Sequence, residues 1–305
     1  MIKIIAFHSY KGGTGKTTIA ANFAAMLAKK GYRVFLMDLD VYAPSLHTYF
    51  EMEPMKWLND FLNGTAEIGE VLMDLTSTII NTHDNNNNTV NGRLYVCFCN
   101  PDKDEVFKLD YTGRQDSSRI ELVRRLILLR EEIISRYDAD YIIIDTSPGI
   151  RYWSINALGI ADTLFLTLKM GSLDINGTKK MARDIYSSFS KFGSKSHLVL
   201  NRMSGYCTPP QMTVNVATPS SSGSFDATST DTSYNKTVTI QQQESSYDIS
   251  DKFSKEAGMN IICSIPCYCD IQFSTREFLT VLKYPDHPFA KRLEALAEDK
   301  HIKID

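Results

Sequence analysis

Apolar residues recur along this chain in two rhythms. Short apolar runs bounded by turn residues, at Ile2–His8, Arg33–Met37, Leu94–Phe98, Tyr141–Asp145, Thr163–Leu168, His197–Leu200 and Ile261–Ile265, read as buried strands. Between them, apolar positions at helical spacing predict helices over Lys16–Lys30, Ser117–Tyr137, Ile155–Gly159, Ile175–Phe192, Ser250–Ala257 and His287–Glu298. Strands alternating with helices predict an α/β fold, a doubly wound, mostly parallel sheet flanked by helices, and residues 1–305 are read as one domain. Such sheets bind ligands at the carboxyl ends of their strands.

Two polar stretches break the rhythm. Residues 81–92 carry Asp84-Asn-Asn-Asn-Asn88 and close on Asn91-Gly92 before a strand, which predicts a solvated loop or hairpin tip. Residues 205–247 are rich in Ser, Thr, Gln and Asn, which favours an exposed insertion. Within it Met212–Val216 and Lys236–Ile240 alternate apolar with polar, so a flexible loop and a protruding β-hairpin arm both stay open.

With 305 residues, 43% hydrophobic and 23% charged, the chain can bury a sizeable core. A net charge of -3 gives no global basic field for nucleic acid. Met1–Phe7 is a short apolar strand running into a glycine loop, unlike a secretory leader, and no apolar run approaches the roughly 20 residues of a membrane span. A cytoplasmic location is expected. The cysteines, Cys97, Cys99, Cys207, Cys263, Cys267 and Cys269, form no CxxC pair and are expected to be reduced, buried and inert.

The chemistry concentrates after the first strand, in Ser9-Tyr-Lys11-Gly12-Gly13-Thr14-Gly15-Lys16-Thr17-Thr18, followed by a helix. Strand, glycine loop and helix form a phosphate site: backbone N–H groups curl around the phosphates and the helix N-terminus adds positive potential. Lys16 would reach the β and γ oxygens, and Thr17 would hold Mg²⁺ through its hydroxyl. The strict pattern G-x-x-x-x-G-K-[ST] fails, because its first glycine position is Tyr10. The segment resembles instead the deviant Walker A motif K-G-G-x-G-K-[ST]-T of the ParA/MinD family (MinD/Mrp-like branch), matched by Lys11, Gly12, Gly13, Gly15, Lys16, Thr17 and Thr18. The resemblance implies a P-loop NTPase fold of the SIMIBI type, ATP and Mg²⁺ as ligands, nucleotide contacts along Lys11–Thr18 including Thr14, and a homodimer that forms with ATP. Lys11 would reach across that dimer to the partner's nucleotide.

Two carboxylate stations follow. The second strand ends Asp38-Leu-Asp40, and alternate residues on a strand face the same way. The resemblance makes this switch I, with Asp40 orienting the attacking water and Asp38 supporting the site. The strand Tyr141–Asp145 ends in an acid like a Walker B segment, so Asp145 would hold Mg²⁺ through a water. The run Asp145-Thr-Ser-Pro148-Gly149 resembles switch II, in which the Gly149 amide would sense the γ-phosphate. Arg151-Tyr152-Trp153 places a cation and two aromatics beside it, either as a surface for a protein partner or packed inward.

The strand His197–Leu200 leads into Asn201-Arg202, and an asparagine offers both an acceptor and a donor to the adenine edge. The resemblance places base recognition at Asn201 with Arg202, and puts the Pro266–Cys267 backbone near the ring, with Asp270 beyond. No N-K-x-D sequence is present, which favours ATP over GTP.

The resemblance spans Met1 to about Ala297 apart from the two insertions. Members of the family act in division, partition, positioning, delivery and metal-cluster carriage on one core, so fold does not choose among them. The final segment Phe289–Asp305 interleaves acids with few bulky apolar residues, unlike a basic amphipathic membrane anchor. No basic block supports DNA binding. Asn201–Cys207 faintly resembles the segment before the CxxC pair of cluster-carrying relatives, but the second cysteine is missing and two Cys207 thiolates from a dimer supply half a tetrahedral site. Three readings follow in order: a positioning or assembly ATPase acting through a protein partner, a metallocofactor maturation ATPase, and a nucleotide-binding scaffold with little turnover.

Overall fold

The computed structural model describes residues 2–80, 91–112, 116–169, 171–203, 246–272, 274 and 276–304. The polar loop at 81–90, the insertion at 205–245 with its two alternating segments, and Cys207 lie outside the described residues. Among the described residues there are eight strands: β1 (Lys3–His8), β2 (Arg33–Leu39), β3 (Leu72–Asp74), β4 (Arg93–Cys97), β5 (Tyr141–Thr146), β6 (Thr163–Leu168), β7 (Lys195–Met203) and β8 (Asn260–Pro266). They form one sheet in the order β3-β4-β2-β5-β1-β6-β7-β8, parallel except for the β3–β4 pair at one edge. The expected doubly wound sheet is therefore the fold of the chain. The seven strands read from the sequence are all present; β3 is the addition, too short for alternation to show.

Central strands are buried on both faces, as their unbroken apolar sequences require. One face is covered by the helix Lys16–Lys29, here α1, and by Pro288–Ala297; the other by Leu58–Leu62, Asp116–Tyr137, Tyr152–Gly159 and the helical run from Ser172. Five alanines in α1 let it lie close to the sheet, and its Ile19, Phe23 and Leu27 are fully buried. The helix Pro288–Ala297 turns Phe289, Leu293 and Leu296 into the same core, so its apolar face packs against protein. Among the described residues no helix is long and apolar enough to cross a membrane.

The expected helix at Ile175–Phe192 starts earlier and changes character. Ser172–Met181 is α-helical, Ala182–Tyr186 is a π-helical turn, and Ser187–Lys191 returns to α. Adjacent parallel strands bring β1, β2 and β5 to a common carboxyl edge, with Asp38 of β2 in register with Asp145 of β5, and Asp145 in register with Phe7 of β1. The P-loop leaves β1 at that edge.

Candidate nucleotide site

The loop between β1 and α1 is shaped by two left-handed glycines, Gly13 (φ 71°) and Gly15 (φ 91°), the latter serving as the N-cap of α1. A Cβ on Gly15 would collide with the Asn201 side-chain amide, so glycine is needed there for space as well as conformation. The N-terminus of α1, which has no side-chain cap, and Lys16, only 5% exposed, sit together here. An anion is the ligand such an arrangement suits.

Opposite the loop stand three acids. Asp38 is fully buried and accepts the backbone N–H of Asp40 at 3.1 Å and of Leu46 at 3.4 Å. Asp40 accepts the Ser147 hydroxyl at 2.7 Å, a direct tie between the end of β2 and the loop after β5, the two segments expected as switches I and II. Thr17 donates its hydroxyl to Asp145 Oδ2 at 2.6 Å, while Asp145 Oδ1 is buried without a hydrogen-bond partner. Burial pushes all three carboxyls up: Asp145 to about 6, with Lys16 pulling it back; Asp38 well above the usual range, helped by Asp145 and Asp40; and Asp40 less, because Ser147 and Lys16 oppose the burial. These residues fit a divalent cation: an orphaned carboxylate oxygen lies beside a threonine hydroxyl in an acid-rich pocket with one buried lysine. Among the described residues no three His, Cys, Asp or Glu side chains form a metal-ligand set. Thr17 and the phosphates would thus hold Mg²⁺, with Asp145 acting through water.

The loop after β5, expected as switch II, packs against the end of β1. Gly149 (φ 80°) donates its N–H to the Ser9 carbonyl at 2.8 Å, so this amide, expected to sense a γ-phosphate, is engaged with the loop in this state. The Gly149 carbonyl lies 2.9 Å from His8 Nε2, and His8 Nδ1 lies 2.9 Å from the Tyr186 hydroxyl. Burial lowers the His8 pKa to about 4, so the ring is neutral at pH 7. A carbonyl can only accept, which fixes Nε2 as the protonated nitrogen and makes Tyr186 the donor to Nδ1. Pro148 lies beside Gly12, within 3.9 Å of where a Cβ would stand. Trp153 is buried, whereas Arg151 is exposed and stacks over the Tyr42 ring at 4.2 Å.

Lys11 and Tyr10 turn away from the loop's centre. The Lys11 side chain is 45% exposed, and its ammonium lies 3.7 Å from Asp174 on the Ser172–Met181 helix. Tyr10 lies across Gly177 of the same helix, so closely that any Cβ there would enter the ring. The residue that breaks the strict phosphate-loop pattern therefore docks the loop on that helix.

Asn201 follows as expected at the end of β7, but its Nδ2 donates to the Thr14 carbonyl at 2.7 Å and its Oδ1 accepts the Arg202 N–H. A groove opens beside it, lined by Gly15, Thr18, Asn201, Arg202, Pro266 and Tyr268 among others, which joins the residues expected to meet the base to the phosphate loop. Asp270 does not line this groove; it pairs with His287 at 3.0 Å. Cys97, Cys99 and Cys263 are buried, with Cys97 and Cys263 raised to about 12 by burial. The expectation of uniformly buried thiols fails at Cys267, half-buried and bonded to Gln272, and at Cys269, which is exposed because it opens a surface turn of helix.

Sequence reasoning missed His8, Ser147, Asp174, Gly177 and Tyr186. A histidine ending an otherwise apolar strand was the one local signal. The others belong to the site only through partners distant in sequence.

Comparison with known proteins agrees with this fold. The family model described as AAA domain matches residues 2–195. A putative replication protein A of Rhizobium rhizogenes is 26% identical over 200 residues, covering 63% of this chain and 48% of that protein. An iron-sulfur cluster carrier protein of Aquifex aeolicus is 54% identical over 50 residues, covering 16% of this chain and 14% of the relative. These curated relatives are thus matched over less than half of their own lengths. The solved structure of a septum site-determining MinD of Pyrococcus horikoshii, complexed with Mg-ADP, superposes with a TM-score of 0.65 at 20% identity, over 99% of this chain and 97% of that one.

Proposed function

The chain belongs to the AAA domain family whose model it matches, and from that premise we propose that it is a Mg-ATP hydrolase of the ParA/MinD type that switches between monomer and ATP-bound homodimer to position or assemble a protein partner. The observation that carries the reading is the pair of loop lysines in contrasting settings: Lys16 buried at the α1 N-terminus, Lys11 exposed at the rim. On this reading Lys16 serves the chain's own nucleotide and Lys11 that of a second molecule.

In this reading Gly12–Thr18 cradle the phosphates, Lys16 binds the β and γ oxygens, and Asn201 exchanges its Thr14 bond for the base in the groove with Arg202 and Pro266. Mg²⁺ supplies neutralisation of phosphate charge. Asp40, held by Ser147, orients the water for in-line attack, with Asp38 fixing the Asp40 backbone. Lys11 leaves Asp174 and adds its charge to the opposite nucleotide. Switch II, with Arg151 and Tyr152 beside it, is the proposed partner surface. The Mg-ADP complex of the Pyrococcus relative is consistent with this ligand choice. The cluster-carrier reading has a relative matched over 50 residues; among the described residues, which do not include Cys207, no ligand set for a metal is formed.

The test is the light-scattering mass of Asp40→Ala and Lys11→Ala proteins with Mg-ATP and with Mg-ADP. A dimer for Asp40→Ala with ATP only, and none for Lys11→Ala, supports the switch. A monomer throughout refutes it.

A further inference from the structure

His8 occupies a position that the proposed chemistry does not use. It ends β1, directly before the phosphate loop, and is fully buried with both ring nitrogens engaged. One partner is the carbonyl of Gly149 in switch II. The other is the hydroxyl of Tyr186, itself 1% exposed, at the end of the π-helical turn Ala182–Tyr186. The rings of His8 and Tyr186 lie nearly parallel, 6.1 Å apart and 17° from coplanar. The helical run holding Tyr186 continues back without a break to Asp174, which pairs with Lys11, and to Gly177, on which Tyr10 rests.

A path of direct contacts therefore joins switch II to Lys11 without passing through the nucleotide. Gly149 is held twice by the end of the first strand, its N–H by Ser9 and its carbonyl by His8. If switch II moved to offer that amide to a γ-phosphate, the carbonyl of the same residue would move relative to His8. Tyr186 would then lose or re-aim its acceptor. A π turn inside an α-helix is a place where such a helix can change register, because its hydrogen-bond ladder is already offset.

We propose that His8 is a positioning residue that couples switch II to the helix carrying Asp174, so that Gly149 leaving its resting contacts and Asp174 releasing Lys11 are one event. The coupling rests on the ATPase reading above. The two-state element is the run from Ser172 to Lys191, with the π turn as its adjustable joint, and the ends it biases are Gly149 and Lys11.

The conservative probe is Tyr186→Phe, which keeps the ring and its packing and removes only the donor to His8 Nδ1. Steady-state kinetics and Mg-ADP titration are measured for the wild type, Tyr186→Phe, Asp174→Ala and the double variant. The expected result is a kcat for ATP lowered about tenfold in Tyr186→Phe, the size of one hydrogen bond of about 1.4 kcal/mol, with KM and ADP affinity within twofold. In the Asp174→Ala background, where Lys11 is already released, the same substitution changes kcat less than twofold. A packing role would give equal losses in both backgrounds, and that result overturns the coupling, as does wild-type kcat in Tyr186→Phe. Nitrogen NMR of His8 gives a readout independent of turnover: a neutral ring protonated at Nε2 is required, and protonation at Nδ1 overturns the proposal. A wild type that neither binds nor hydrolyses Mg-ATP sinks the ATPase reading and the coupling together, whereas an active wild type matched by Tyr186→Phe sinks the coupling alone.

Discussion

Replacing Asp145 by asparagine is expected to raise the stability of the nucleotide-free chain at neutral pH, although the substitution destroys a proposed metal-site residue. Burial lifts the Asp145 carboxyl from 3.8 to about 6. At about 1.4 kcal/mol per pH unit, the ionised group is about 3 kcal/mol less favourable in the fold than in the unfolded chain. The sign follows from the raised value: the stability this carboxyl contributes is fully present below 3.8 and is lost as the pH rises through about 6. Asparagine removes the charge, and its carbonyl can still accept the Thr17 hydroxyl that Asp145 accepts now. Removing that charge also relieves Asp38, which Asp145 pushes upward. For 305 residues, an unfolding entropy of about 2.1 cal/mol/K per residue turns 3 kcal/mol into a rise in Tm of about 5 °C. Differential scanning calorimetry in EDTA at pH 7.5 reads the shift directly. Near pH 4 the folded carboxyl is protonated, and the gap should fall to about 0.5 kcal/mol. His8 works in the opposite sense, since its pKa is lowered to about 4 and its contribution is lost as the pH falls, but it is common to both proteins and cancels. Added Mg-ADP should invert the order, stabilising the wild type more than the variant. An Asp145→Asn protein that melts below the wild type at pH 7.5 in EDTA, or a gap unchanged at pH 4, refutes the reasoning.

Gly177→Ala should expel the Tyr10 ring while changing Tm little, because alanine adds about 1 kcal/mol of helix propensity against the lost packing. Mg-ADP affinity by calorimetry should fall severalfold, and unchanged affinity would mean that Tyr10 does not hold the loop. Gly15→Ala forces an alanine to φ 91° against the Asn201 amide and should lower stability by about 1 to 3 kcal/mol while abolishing nucleotide binding. Retention of tight Mg-ADP binding by that variant would place the nucleotide elsewhere.

The features legible in the sequence were those whose physics is local. Seven strands announced themselves by continuous apolar runs, and Gly13, Gly15 and Lys16 by their fixed spacing between a strand and a helix. Asp38 and Asp145 each close an apolar run, which places them at strand ends, and the sheet adds their shared register. What stayed hidden depends on partners far along the chain. His8 meets Tyr186 across 178 residues, and Tyr10 meets a glycine on a helix whose apolar pattern says nothing of a notch. The π turn has no periodicity of its own at five residues, and the apolar spacing across it predicts uninterrupted helix. The Gly149 amide illustrates a further limit: its motif was visible, but its present partner, the Ser9 carbonyl, is a matter of state rather than of sequence.

Several groups proposed to meet nucleotide are already occupied within the chain: Lys11 by Asp174, the Gly149 N–H by Ser9, Asn201 by Thr14, and Thr17 by Asp145. Any ligand must therefore displace contacts, and it shifts the equilibrium only by its difference in affinity for the two arrangements. Base and β-phosphate, common to ATP and ADP, can replace the Asn201 and Thr17 contacts equally well. The remaining two contacts separate the nucleotides. Freeing Lys11 from a partly exposed ion pair costs up to about 1 kcal/mol, and freeing the Gly149 N–H from the Ser9 carbonyl costs about 1 kcal/mol. Together these are up to about 2 kcal/mol, which favours the resting arrangement by up to about thirtyfold. A γ-phosphate offers both groups a stronger, charged partner, whereas ADP offers neither a replacement. On this reading the preference for ATP in the dimer comes from two modest contacts inside the monomer, and weakening either one should let ADP begin to act like ATP.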